Sequence, residues 1–97
     1  MARNQKLTGV IQGRAIMSIQ SQGGKLLIDF DDGSTMTVKT AGPPSSTATG
    51  STVKAVRQQG TELNLDMEDG STLSLQTAEP TSSVMVRDKN HSLEYAD

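Results

Sequence analysis

Two stretches of this chain repeat one another at an offset of 37 positions: IMSIQSQGGKLLIDFDDGSTMTVKTAGPPSS at 16–46 and VKAVRQQGTELNLDMEDGSTLSLQTAEPTSS at 53–83. Thirteen of the 31 aligned positions are identical, and others exchange within a class, as Ile16 with Val53, Ile28 with Leu65 and Met36 with Leu73. A duplication of this kind commits both copies to the same supersecondary unit. A unit of about 30 residues buries too little to fold alone. The two units must therefore pack against each other.

Within each copy the apolar residues recur with period two. Leu26, Ile28 and Phe30 alternate with Leu27, Asp29 and Asp31, and Met36 and Val38 alternate with Thr35, Thr37 and Lys39. That spacing marks strands with one buried face. The loop between the two runs follows from the same pattern. A two-residue loop at Asp32-Gly33 would turn Met36 and Val38 to the wrong face. A three-residue loop, Asp31-Asp32-Gly33, sets Ile28 opposite Met36 and Leu26 opposite Val38. In the second copy the same rule sets Leu65 opposite Leu73 and Leu63 opposite Leu75. Such hairpins want Gly in the left-handed region at the last loop position, where Gly33 and Gly70 stand.

An earlier strand precedes each hairpin. Two-residue loops at Gln22-Gly23 and Gln59-Gly60 would pair Ile19 with Leu26 and Val56 with Leu63. This register places Met17 and Lys54 on the buried face, so Lys54 is expected at a rim or beside a bulge. Each repeat is thus read as a three-stranded antiparallel meander. Residues 41–52, rich in Pro, Ser, Thr and Gly, form the linker. LTGVI (7–11) and SVMVRD (83–88) are expected as short edge strands, and the tail over 89–97 as a last strand, a helical turn or a mobile segment. The expected fold is all-β: one domain over 1–97 in which a pseudo-two-fold pair of meanders forms a small barrel or sandwich. The phrase VKAVRQQGTELNLDMEDGSTLSL resembles, in local pattern, the strand–turn–strand writing of small SH3-like and Tudor-like barrels. A Tudor-type aromatic cage would need several aromatics, and neither copy has more than one.

Composition narrows the chemistry. The 97 residues include no cysteine and no tryptophan, and the aromatics are Phe30 and Tyr95. Disulfides, thiolate metal sites and thiol catalysis are excluded. No segment has the ~20 apolar residues of a membrane span, nor an apolar run of signal-peptide length. A soluble, cytoplasmic protein that contacts no membrane is expected. The net charge of -2 is uneven: residues 1–48 carry five bases against three acids, and residues 49–97 four against eight. The front half is thus +2 and the back half -4, an asymmetry that suits an acidic partner or head-to-tail self-association.

The repeated acids, D-x-[DE]-D-G in both copies, are one residue short of a calcium-loop spacing and lack its closing Glu. They are read as turn chemistry, with no metal and no cofactor expected. His91 is alone in the tail without the orienting acid and nucleophile of a hydrolytic triad. The glycines of SQGGK (21–25) lie between strands and offer no helix N-terminus to a phosphate. No catalytic residues are assigned, and an enzyme is not expected. The expected function is a non-catalytic binding module working through contacts with a protein partner or with itself. Leu27, the one apolar residue on the outer face of its hairpin, is the candidate contact. The alternative is a nucleic-acid-binding small barrel using Arg3, Lys6, Arg14 and Lys25, which give residues 1–25 a charge of +4. The missing aromatics and an isoelectric point near 5.2 count against it.

Overall fold

The computed structural model describes residues 2–42, 49–79 and 83–96, with residues 2 and 3 as backbone only. The linker expected over 41–52 lies, for 43–48, outside the described residues. The described residues are mostly β, with one short helix among them. In order it forms β1 (Ala2–Arg3), α1 (Gln5–Ile11), β2 (Ile16–Gln22), β3 (Lys25–Phe30), β4 (Thr35–Lys39), β5 (Val53–Gln59), β6 (Glu62–Met67), β7 (Thr72–Gln76), β8 (Val84–Arg87) and β9 (Leu93–Ala96). These strands make two antiparallel sheets. One has the order β1-β5-β6-β7 and the other β2-β3-β4-β8-β9.

The hairpins adopt the register that the apolar spacing requires. Ile28 faces Met36 and Leu26 faces Val38 across β3 and β4, while Leu65 faces Leu73 and Leu63 faces Leu75 across β6 and β7. The loop closes in the same way in each copy. The Gly33 N–H donates to the Phe30 carbonyl at 3.1 Å, and the Gly70 N–H to the Met67 carbonyl at 3.1 Å. Both glycines have the positive φ that this loop demands, 89° and 91°.

The preceding loops differ from the expectation by one position. They fall at Gly23-Gly24 and Gly60-Thr61, so Ile19 pairs with Ile28 and Val56 with Leu65. Gln22 or Gln59 as first loop residue would have had to enter the left-handed region. The observed placement gives that role to Gly23 (φ 49°) and Gly60 (φ 58°). Moving both ends of the loop by one residue preserves the parity of the pairing, so the buried face is unchanged. Further along, Ile16 pairs with Phe30 and Ser18 with Asp29, while Val53 pairs with Met67 and Ala55 with Asp66. Met17 and Lys54 are therefore the extra residues of two bulges. The bulges explain how Lys54 escapes the core, and Met17 is 62% exposed.

LTGVI is not a strand. Leu7, Val10 and Ile11 stand at helical spacing, and the Asn4 side chain caps the helix by accepting from the Leu7 N–H at 3.0 Å. Asn4 also donates to Gln58 Oε1 at 2.8 Å and to the Tyr95 hydroxyl at 3.1 Å, tying α1 to β5 and β9. The buried Thr8 hydroxyl accepts from the Val56 N–H at 2.9 Å and donates to the Val56 carbonyl at 3.4 Å. The Thr8 hydroxyl thus satisfies the Val56 N–H, which would cost about 1–3 kcal/mol if left bare, and shares the Val56 carbonyl with the Asn4 N–H at 2.8 Å. SVMVRD is a strand, but an interior one. β8 lies between β4 and β9, and Val84 and Val86 face Val38 and Met36. Leu93–Ala96 of the tail forms β9, which turns Tyr95 inward opposite Val86.

The core between the sheets is mostly aliphatic. Leu7, Ile11, Ile16, Leu26, Ile28, Phe30, Met36 and Val38 meet Val53, Val56, Leu63, Leu65, Met67, Leu73 and Leu75, with Val84, Val86 and Tyr95 completing the cluster. The sheets meet just beyond strand ends at two isolated bridges, Ala15 with Thr52 and Thr40 with Thr77. Among the described residues no helix is long and apolar enough to cross a membrane.

Candidate functional site

With one face of each sheet buried, any site must use the loops or the outward faces. The loops are largely spent on themselves. The Asp32 carboxylate accepts from the Ser34 N–H at 2.9 Å and from the Ser34 hydroxyl. Burial works against its ionisation, but these bonds and the Arg14 charge outweigh burial and hold the group below the usual carboxylate range. Asp69 accepts from the Ser71 hydroxyl and N–H and from the Ser51 hydroxyl, at 2.5, 2.9 and 2.7 Å. Those bonds, the Ser71 hydroxyl foremost, lower its pKa to about 2. Among the described residues no three His, Asp or Glu side chains are grouped to hold a metal ion.

A depressed carboxylate pKa gives stability that is complete above the ordinary range and is lost as pH falls through the folded-state value. Asp69 should therefore contribute to an acid-limb loss between about pH 3.8 and 2. Asp69→Asn should remove that part of the pH dependence, so that the melting curves of variant and parent converge in acid and separate above it. Thermal melts across that window check this.

The basic residues of the N-terminal segment do not converge. β1 places Arg3 opposite Arg57 by backbone pairing. Lys6 Nζ lies 5.9 Å from the centroid of the Tyr95 ring, a cation–π contact. Arg14 is engaged by Asp32 at 3.2 Å and Glu94 at 2.7 Å, and the hydrogen bond to Glu94 raises its pKa. Arg14 thus sits by the loop at one end of β3, whereas Lys25 begins that strand at the other end. His91, at φ 65°, is part of a turn whose N–H donates to the Asp88 carbonyl at 2.9 Å.

The outer face of the five-stranded sheet is different. One row across it runs Gln20, Leu27, Thr37, Met85, Ala96. Leu27 is half-buried there between Gln20 and Thr37. The next row sets Lys25 directly opposite Lys39. Both lysines are exposed, and neither forms an ion pair among the described residues. Beside them opens a cavity of about 480 Å³, with Lys25, Lys39 and Thr37 on one side and Ser83, Val84, Met85 and Ala96 on the other. Met85 is 38% exposed.

At the matching positions the other sheet carries no such pair. Lys25 and Lys39 are replaced by Glu62 and Gln76, which again face each other, and Leu27 by Asn64. Gln76 donates to the Thr61 hydroxyl. One row over, Arg57 is bound bidentately by Asp66 at 2.7 and 2.9 Å, and Thr72 donates to Asp66 at 3.0 Å. The cation there is neutralised within the sheet.

Sequence reasoning singled out Leu27 and Lys25 but passed over Lys39, Met85 and Ala96. The Lys25–Lys39 pairing was implied by the three-residue hairpin, which fixes it by the same count that sets Leu26 opposite Val38. Met85 and Ala96 enter through the pairing of β4 with β8 and of β8 with β9, for which no local signal exists. The chain matches no protein-family model, no curated protein sequence and no solved structure.

Proposed function

We propose that this protein is a non-catalytic binding module that holds another polypeptide on the outer face of its five-stranded sheet. The observation that carries this reading is the cavity between Lys25, Lys39, Met85 and Ala96, which lies within the ~300–1,000 Å³ of ordinary ligand sites. In this reading the two sheets are the walls of a small barrel-like sandwich over residues 1–97, pinned at the Ala15–Thr52 and Thr40–Thr77 bridges. The scaffold holds the face rigid while the copies diverge outside. The setting we propose is cytoplasmic, with no resident cofactor. Self-association is the form the contact takes if the partner is a second copy.

A nucleic-acid role through Arg3, Lys6, Arg14 and Lys25 has less support. Arg14 is already paired with two carboxylates, and Lys6 lies against Tyr95. Selection from a displayed random-peptide library tests the docking reading. Selected peptides should bind the parent and lose binding to Leu27→Asp and Met85→Asp, with the melting temperature nearly unchanged. Peptides that bind both variants as well as the parent would move the site elsewhere. Sedimentation of the free protein, with and without Leu27→Asp, separates self-association from capture of another chain.

A further inference from the structure

We infer that the occupant of this groove is an acidic segment of a partner protein, with a carboxylate between Lys25 and Lys39 and a neighbouring aliphatic side chain on Met85 and Ala96. The inference rests on the docking reading above and names its ligand chemistry. Like charges directly opposite on adjacent strands repel and weaken a sheet. Lys25 and Lys39 are such a pair, and no described carboxylate lies between them. An incoming anion turns that repulsion into two attractions. The cationic character is local, since the second sheet has Glu62 and Gln76 at the matching places.

The rest of the cavity explains why the anion belongs to a peptide. Met85 and Ala96 offer an apolar wall that a bare phosphate would not use, and methionine adapts its shape to varied side chains. Single-stranded nucleic acid would want aromatic platforms. Both aromatic side chains of the chain, Phe30 and Tyr95, are buried at 0% and 5% exposure. An extended segment, by contrast, presents alternate side chains to a sheet face at the spacing of its own pleat.

Fluorescence anisotropy with labelled, end-blocked hexapeptides decides the matter. One alternates Glu with Leu, one Gln with Leu, and one Lys with Leu, and a labelled oligodeoxythymidine is run beside them. The Glu-Leu peptide should bind about tenfold more tightly than the Gln-Leu peptide, and the advantage should shrink in high salt. Reversing both lysines, Lys25→Glu with Lys39→Glu, should transfer the preference to the Lys-Leu peptide. Circular dichroism should show the fold retained, because both side chains are exposed. Equal binding of the Glu-Leu and Gln-Leu peptides, abolished by Met85→Asp, would overturn the acidic occupant while leaving the docking face. Binding of none of the three peptides would overturn both. Tighter binding of the oligodeoxythymidine, lost on the double reversal, would replace the peptide with nucleic acid.

Discussion

Phe30→Ala is expected to lower the unfolding free energy by about 3–5 kcal/mol, read as a lower urea midpoint at unchanged slope. Phe30 is fully buried and heads the largest side chains of the core. It ends β3 opposite Ile16, where the bulge at Met17 begins. Domains of this size are stable by about 5–15 kcal/mol, so a loss of that order consumes a large part of the total. Phe30→Leu keeps most of the volume and should cost less than about 1.5 kcal/mol. A loss under about 1 kcal/mol for the alanine variant would contradict the packing described, since core Phe→Ala costs several-fold more.

The second large effect separates the two copies. Gly33→Ala and Gly70→Ala both force alanine into the left-handed region, at φ 89° and 91°. That conformation costs about 1–2 kcal/mol in either place. At Gly70 a new Cβ meets nothing within 4 Å, but at Gly33 it lies 3.0 Å from the Lys89 Cβ. Gly33→Ala should therefore melt at a clearly lower temperature than Gly70→Ala. The excess should vanish when Lys89→Gly is added, a double-mutant cycle that isolates the contact. Equal melting temperatures for the two single variants would mean that the turn after β8 does not approach the first hairpin as described.

How much of this was legible beforehand follows the range of each interaction. The hairpins could be read to the residue because Leu26, Ile28, Met36 and Val38 can share a face in only one register. The Gly23-Gly24 loop was misplaced by one position because shifting both ends together leaves the face unchanged, so periodicity is blind to it. Backbone φ decides that case, and only glycine content hints at it. α1 was missed because Leu7, Val10 and Ile11 span little more than one turn, and its start depends on Asn4 as a cap. The bulges could be suspected from Lys54 but not located. The groove was half visible: Lys25 and Lys39 are joined by a local turn, whereas Met85 and Ala96 arrive from a distant segment.

Because β8 and β9 complete the sheet begun by β2, β3 and β4, the first copy is built early in synthesis and finished late. On the ribosome, β4 emerges with one edge bare and waits until residues 84–96 have been made. The second copy waits for nothing at its inner edge, since β1 and α1 precede it and can seat against β5 at once. The later-made repeat thus has its strand partners ready first. A chain halted before Val84 would carry an unpaired strand edge beside an open core. That is the kind of surface on which nascent chains aggregate or recruit chaperones.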